Sequence, residues 1–376
     1  MRVICGKSAL VEGINIASRA VSSKTGLAIL ECCLLTVMKG DGFKLTANNM
    51  EMAIETKPIE ADVLEEGAVA LDSKVFFDIV RRLPGNSVEI VSDSKNLTTI
   101  RSDKSEFKIL GMNAAEFPAT PELDEDGVLQ SRYTLPAAEF KNMIRQTIFS
   151  VSLDNSKPTL CGELLEIEGG VVKMVSLDGI RVSLRQYDLG RKDENENIIK
   201  VIIPGKTLGE ISKILPAEPE ATVSFSATDK HILFDLENAV VVSRLLEGEF
   251  FNYENMFLKE TETKVTVDRA EFLECIERAS LVSRDAKKGI KLKFEDGRII
   301  ITCNTEIGAS YEEILAEQDG LGLEIGFNPR YIADVLKVLE QERVVLGFVS
   351  TSAMSPCIIK VEDSSDYQYL VLPVRL

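Results

Sequence analysis

The chain has 376 residues, 45% of them hydrophobic and 27% charged, with a formal net charge of −17. No apolar run approaches the roughly 18–20 residues of a membrane span, and the opening MRVICGKSAL has no secretory apolar region, so a soluble cytoplasmic chain is expected. The 7 cysteines are odd in number and lack C-x-x-C spacing, which predicts buried free thiols rather than disulfides or a metal centre.

In chain order, Leu10, Gly13, Ile14 and Ala17, leading into Val21-Ser22, predict a helix over 7–24. GFKLTANNMEMAIE from Gly42 alternates as hairpin strands do, and DSKVFFDIVRRLP from Asp72 gives a second helix over 72–82. More strands follow in SVEIVSDSKNLTTIRS, and the acidic, turn-rich PELDEDG (Pro121 to Gly127) reads as a linker. The pattern then starts again. Phe140, Met143, Ile144 and Thr147 lead into Val151-Ser152 (helix 138–152), followed by VVKMVSLDGIRVSL from Val171, PGKTLGEISKILP (helix 204–216) and TVSFSATDKHILFDL. A second linker, LKETETK (Leu258 to Lys264), precedes a third round. In it Phe272, Cys275, Ile276 and Ala279 lead into Val282-Ser283 (helix 270–288), and GRIIITCNTEIGAS, NPRYIADVLKVLE (helix 328–338) and RVVLGFVSTSAMSPCIIKV follow.

Ile14, Ile144 and Ile276 are offset by 130 and then 132 residues, a domain-sized period rather than a solenoid one. Three similar domains are expected, at 1–128, 129–260 and 261–376, each an α+β unit with two helices packed on antiparallel sheet. Asn328-Pro329 and the pair Asp268 and Glu271 look like helix starts. Lys74, Arg81, Arg82, Lys206, Lys213, Arg330 and Lys337 fall mostly off the apolar side of the second helices, so a helix-built surface would be mildly basic on an acidic body.

Catalytic chemistry is not signalled. His231, the single histidine, stands among strand residues without a nucleophile motif, and no P-loop, G-x-S-x-G, H-E-x-x-H or EF-hand loop occurs. GLGLEIG (Gly320 to Gly326) has the wrong third spacing for a dinucleotide fingerprint and reads as turn plus strand, and Asp124-Glu125-Asp126 sits in a linker. With 60 acidic residues, a carboxylate pair brought together by folding stays open, and with it a hydrolase. A binding or scaffolding role is the leading expectation, with no cofactor and no metal. Two copies closing head to tail would bring twelve helices together; at about 9–10 Å spacing they enclose a lumen of about 25 Å, wide enough for a hydrated duplex.

The segments KTGLAILECCLL (from Lys24), LTANNMEM, FFDIVRRLP, AAEFPA, SLDGIRVSL, GFNPRYIADVLKVL and the terminal YLVLPVRL run along essentially the whole chain. In them the chain resembles the bacterial β sliding clamp family, the processivity subunit of DNA polymerase III. The resemblance implies a ring-shaped head-to-tail homodimer that encircles duplex DNA without reading its sequence. Partners implied are the polymerase III catalytic subunit, the clamp loader, and other polymerases and repair proteins carrying a short linear motif.

By position, the resemblance puts Lys24, Lys206 and Lys287 at DNA-contacting sites, and the helix pattern adds Arg81 and Arg82. It puts Leu160, Leu177, Gly179, Arg181 and Val182 on one wall of a peptide pocket and Val371, Leu372, Pro373, Val374, Arg375 and Leu376 on the other. Phe107 and Ile109 would meet Leu281 and Val282 of a second copy. Some positions depart from the family pattern: Ala28 stands where proline is common, and Phe251, Asn255 and Met256 replace Pro, Arg and Val near the pocket, where Phe251 is expected to fill an apolar subsite. The alternative is a threefold protein-interaction scaffold that shares the pocket and never encircles DNA.

Overall fold

A computed structural model describes residues 1–22, 25–120, 132–190, 199–257, 260–283, 289–295 and 297–375. The first repeat runs β1 (Arg2–Gly6), α1 (Lys7–Ala17), β2 (Cys32–Met38), β3 (Gly42–Asn48), β4 (Met52–Thr56), β5 (Ala61–Glu65), β6 (Gly67–Asp72), α2 (Ser73–Arg82), β7 (Ser87–Ser92), β8 (Leu97–Ser102) and β9 (Ser105–Leu110). The second runs β10 (Tyr133–Pro136), α3 (Ala137–Thr147), β11 (Gly162–Glu168), β12 (Val171–Leu177), β13 (Arg181–Asp188), β14 (Ile199–Pro204), α4 (Gly205–Ile214), β15 (Thr222–Ala227), β16 (His231–Leu236) and β17 (Ala239–Arg244). A one-turn helix, α5 (Glu254–Phe257), leads to the third: β18 (Thr263–Asp268), α6 (Arg269–Ser280), β19 (Ile290–Glu295), β20 (Arg298–Thr305), β21 (Gly308–Leu315), β22 (Glu317–Asp319), β23 (Leu323–Phe327), α7 (Pro329–Val338), β24 (Arg343–Phe348), β25 (Cys357–Val361) and β26 (Tyr367–Val371). The α+β class and the threefold repeat are as expected.

Contacts divide the chain into two compact units, 1–140 with 209–245 and 141–208 with 246–376. The first unit holds a five-stranded sheet, β5-β1-β7-β8-β9, and an eight-stranded one, β10-β15-β16-β17-β4-β3-β2-β6. The second holds a nine-stranded sheet, β14-β11-β12-β13-β26-β25-β24-β18-β22, and a four-stranded one, β21-β20-β19-β23. The two long sheets each join successive repeats by an antiparallel pair: β4 with β17 (Ile54 opposite Val241) and β13 with β26 (Val182 opposite Leu370). In both, the third strand after one repeat's first helix meets the last strand of the next repeat. The corresponding leftovers, β21 and β9, each end a sheet.

The recurring apolar sets are the cores. Leu10, Ile14 and Ala17, then Phe140, Met143 and Ile144, then Phe272, Cys275, Ile276 and Ala279 are all buried. Gly13 allows close packing, because a Cβ there would lie 2.6 Å from Ile59 Cδ1. Asp72, Asp268 and Asn328 cap their helices by accepting from the backbone of Val75, Glu271 and Arg330. Gly320 turns into β23 at φ +107°, where a Cβ would collide with Glu262 O at 2.3 Å, so GLGLEIG is turn plus strand. All 7 cysteines are free, and only Cys161 is not fully buried; burial pushes the Cys5 and Cys33 thiols up to about 12.

Two expectations about boundaries need correcting. The first helices are shorter than 7–24, 138–152 and 270–288: they end at Ala17, Thr147 and Ser280, the first two passing into a single 3-10 turn. In the first two repeats the Val-Ser pair is extended, not helical, because Ser22 N–H donates to Leu30 O (3.0 Å) and Ser152 N–H to Leu160 O (2.8 Å). The second linker is also shorter, since Thr263 and Lys264 already belong to β18 and Thr263 Oγ1 donates to Leu321 O. Pro121 to Gly127, with the boundary at 128, lies outside the described residues.

Two buried polar groups hold the second unit. Arg181 on β13 donates to Asp178 (2.9 Å), to Asp334 of α7 (2.7 Å) and to Phe149 O (2.6 Å), and its guanidinium stacks 4.4 Å from the Tyr331 ring centre. Glu163 on β11 is fully buried; burial pushes its carboxyl up to about 8, against an opposing hydrogen bond with Thr147. Thr147 Oγ1 also donates to Met143 O (2.7 Å). One hydroxyl hydrogen cannot serve both acceptors, so a neutral Glu163 supplies the second.

Arg181→Met leaves Asp178 and Asp334 without their buried partner, and we expect a loss of about 3–5 kcal/mol in denaturant unfolding, which Arg181→Lys does not restore. Glu163 has a folded pKa above its unfolded value, so its contribution to stability is complete below about pH 4.5 and is lost as pH rises through about 8. Unfolding midpoints should therefore fall with pH across that window, by up to about 1.4 kcal/mol per unit, and Glu163→Gln should flatten the slope.

Candidate functional site

The junction of β13 and β26 builds an apolar site. Side chains alternate across a strand, so Val182, Leu370 and Ile358, which stand opposite one another on three neighbouring strands, share one face. With Leu160, Leu164, Leu177, Leu184, Ile202 and Tyr253 they form one buried cluster, and Leu246, Phe250, Met256 and Phe257 pack partly buried against it. Four expected pocket residues, Leu160, Leu177, Val182 and Met256, thus fall together. Met256 arrives on α5, a helix that the sequence pattern did not signal.

Three expected pocket residues are corrected. Val371 points to the opposite face, into the core of the third repeat with Phe348 and Tyr369, because it is out of phase with Leu370 and Leu372. Leu370 is the residue that faces the cluster, and strict period-two alternation back from Leu372 would have found it. Arg181 is not an open wall, since its guanidinium is consumed by Asp178, Asp334 and Phe149. Phe251 is 53% exposed and fills no subsite; its neighbour Phe250 packs against the cluster instead.

The chain end runs on from β26 beside this face. Leu372 N–H donates to Ile180 O (2.9 Å) and Val374 N–H to Gly326 O (2.8 Å), which holds Leu372, Pro373 and Val374 in place with Leu372 39% exposed. Arg375 is exposed, and Leu376 lies outside the described residues. Gly179 occupies a turn at φ +92°, with Asp178 Oδ1 accepting from Ile180 N and Arg181 N. Beneath, Tyr253 donates to Glu166, where burial opposes the charge but ion pairs with Lys173 (2.9 Å) and Lys200 (3.1 Å) keep the carboxyl below its ordinary range.

The first unit repeats this scaffold with different side chains. Asn49 Oδ1 accepts from Glu51 N and Met52 N, Met50 takes the left-handed position at φ +72°, and Arg244 N–H donates to Glu51 O (2.8 Å). Its hollow is only about 60 Å³ and includes His231 and Arg244. Burial, Arg244 and Lys230 hold the His231 imidazole below its usual pKa, and it begins a strand without a nucleophile, so it remains a strand-surface residue. Among the described residues no cluster of His, Cys, Asp and Glu could hold a metal ion.

The helix cations are exposed but mostly shared with neighbouring acids. Arg81 and Arg82, on the last turn of α2, both approach Asp78 (3.9 and 3.7 Å), and Arg81 lies over the Phe77 ring. Lys213 pairs with Glu210 and Lys337 with Glu277. Lys206 is exposed at the second residue of α4; Lys24 and Lys287 lie outside the described residues. Lys74 of α2 and Arg330 of α7, expected from the sequence to lie off the apolar side of their helices, occupy the same helical position as Lys206. A cation there opposes the helix dipole by about 0.3–1 kcal/mol, and the chain carries one in all three repeats.

The terminal strands expose apolar side chains. On β9, Phe107 is 42% and Leu110 75% exposed, with Ile109 half-buried; Leu281, just beyond α6, is 77% exposed, while Val282 packs partly against the core. β21 adds exposed Tyr311 and Leu315, a signal that strand-edge position supplies and local sequence does not.

Three family models match in series: DNA polymerase III beta subunit, N-terminal domain (1–121), central domain (134–252) and C-terminal domain (254–375). The chain is 36% identical to the beta sliding clamp of Halalkalibacterium halodurans and 34% identical to that of Bacillus subtilis, each alignment covering 100% of both chains. It is also similar to the crystal structure of the Bacillus subtilis DNA polymerase sliding clamp, with a TM-score of 0.93 at 33% identity over 100% of this chain and 99% of that one. A threefold α+β repeat, strand junctions of one kind between repeats and full-length matches to all three domain models lead to one conclusion: the chain belongs to the DNA polymerase III beta subunit family, the beta sliding clamps.

Proposed function

We propose that this chain is a non-catalytic processivity factor: two copies pair head to tail into a ring that encloses duplex DNA and slides along it, tethering replication proteins. The observation that carries this reading is the pair of leftover strands. β4 pairs with β17 and β13 with β26, so the repeat assigns β21 the same kind of partner, and the only equivalent strand left is β9. A second copy supplies it. Such an isologous pair of junctions, β21 against β9 twice, satisfies both edges and buries Phe107 and Ile109 against Leu281 and Val282.

Phosphate contacts in this reading come from Lys24, Lys206 and Lys287, with Arg81 and Arg82; Asp78 competes for the two arginines, which keeps their contacts weak. Retention is topological, which reconciles DNA binding with a net charge of −17. The apolar cluster under Leu372, Pro373 and Val374 receives the hydrophobic anchors of short motifs on the polymerase III catalytic subunit, the clamp loader, and other polymerases and repair proteins. Domain limits of 1–128, 129–260 and 261–376 and action in the cytoplasm belong to the same proposal. A scaffold that never encircles DNA would share the pocket but leaves unexplained a cation at the head of three helices.

On nicked circular DNA with a bacterial clamp loader and ATP, the protein should load, stay on the circle, and leave when the circle is cut once. Loading that survives cutting, or a protein that never loads with a compatible loader, refutes encirclement. Phe107→Arg combined with Leu281→Arg places like charges at both junctions and should shift the chain from dimer to monomer in sedimentation equilibrium; a persisting dimer refutes the β9–β21 assignment.

A further inference from the structure

The register of the nine-stranded sheet carries the pocket face further than the apolar cluster. Val182 stands opposite Leu370, Leu370 opposite Ile358, Ile358 opposite Gly347, and Gly347 opposite Lys264. Opposed residues share a face, so one row runs from the pocket to Lys264. Two residues along, a parallel row reads Leu184, Gln368, Lys360, Val345 and Thr266. Gly347 lets Thr261 pack against the first row, since a Cβ there would meet Thr261 Cγ2 at 2.7 Å. Thr261 and Gly347 line a cavity of about 620 Å³ that reaches Ile358, a member of the pocket cluster, and includes both Lys264 and Lys360.

The chemistry of this cavity differs from that of the pocket. Among the described residues neither lysine has an ion pair, and Lys360 is half-buried. Beside it, Gln368 Oε1 is buried with no hydrogen-bond partner. Glu362 also lines the cavity but is taken by Arg343 (3.3 Å), which leaves Glu260 and Asp363 as opposing charges. Those two acids disfavour a dianion such as phosphate and suit a single carboxylate placed between the lysines. From Leu370 to Lys264 is three strand spacings, roughly 14 Å, a distance that four or five extended residues span.

We propose that this cavity takes the acidic flank of the partner peptide whose apolar anchors fill the pocket, with an aspartate or glutamate meeting Lys360 and Lys264. The proposal rests on the peptide-pocket reading above and adds a charge rule to it: apolar anchors alone bind, and an acid four or five residues from the Leu370 anchor binds better. Continuity of one sheet face from pocket to cavity makes a single extended peptide the occupant.

The test uses the full-length protein and fluorescence anisotropy with end-capped, labelled peptides that share leucine and phenylalanine anchors and differ in carrying one aspartate or one asparagine four or five residues from the anchors, placed on either flank. On one flank the aspartate peptide should bind about three- to tenfold more tightly, and raised salt should shrink the gap. Lys264→Gln with Lys360→Gln should abolish the gap and leave asparagine-peptide affinity unchanged. If aspartate and asparagine peptides bind alike on both flanks while Leu372→Asp abolishes binding, the pocket stands and this inference falls. A gap that persists in the double lysine variant also overturns it. If neither peptide binds the unaltered protein, the pocket reading falls and takes the inference with it.

Discussion

A β-strand with one unpaired side is an open row of donors and acceptors, and the architecture of this chain follows from where those rows are closed. Each repeat ends its two half-sheets on a strand that needs a neighbour. Two of the needs are met inside the chain, at β4 with β17 and at β13 with β26, and this converts half-sheets of four or five strands into sheets of eight and nine. Backbone pairing alone is indifferent to which edge it meets. At the second junction Arg181 adds the selectivity: its guanidinium joins β13 to Asp334 on α7 through a charge-assisted bond and to Tyr331 by stacking, contacts that a slipped register would break.

The same turn sits at both internal junctions, yet only one offers an apolar site. Asp178 and Asn49 hold equivalent turns, and the end-strand amides of Leu372 and Arg244 bond equivalent carbonyls at Ile180 and Glu51. The side chains at those places decide the difference. Gly179 leaves its turn bare, where Met50 spends strain on a left-handed methionine and puts a long side chain over the hollow. Leu372 and Ile180 offer apolar surface, where Arg244 and Glu51 offer charge. Repetition therefore supplied the scaffold twice, and substitution at three positions fixed which copy can hold hydrophobic anchors.

Local physics made much of this legible in the sequence. The threefold period, the buried sets around Ile14, Ile144 and Ile276, and the caps at Asp268 and Asn328 depend on residues within a few positions of one another. What escaped depends on distant partners. The helices seemed to run through Val21-Ser22 and Val151-Ser152 because nothing nearby shows that Leu30 and Leu160 will claim those serine amides. Arg181 was put on a pocket wall by the resemblance, and local pattern could not object, because its partner Asp334 is 153 residues away. Val371 was misplaced for a simpler reason: a strand of apolar residues facing two cores shows no alternation, so its phase has to be taken from the exposed Leu372.

The charge distribution supports motion rather than grip. A protein evolved to hold duplex DNA tightly would leave its cations free and numerous, because each neutralised phosphate releases counterions and adds to affinity. Here Arg81 and Arg82 share Asp78, Lys213 has Glu210, and Lys337 has Glu277, so each cation approaches a phosphate only by giving up a carboxylate for it. The net gain per contact is small and the barrier between successive contacts is low. Lys74, Lys206 and Arg330 stand against the dipoles of their own helices, and in the proposed ring each would attract phosphate at short range. With retention assigned to closure of the ring, weak contacts are what allow it to slide; stronger ones would convert a tether that travels with the polymerase into one that stays behind.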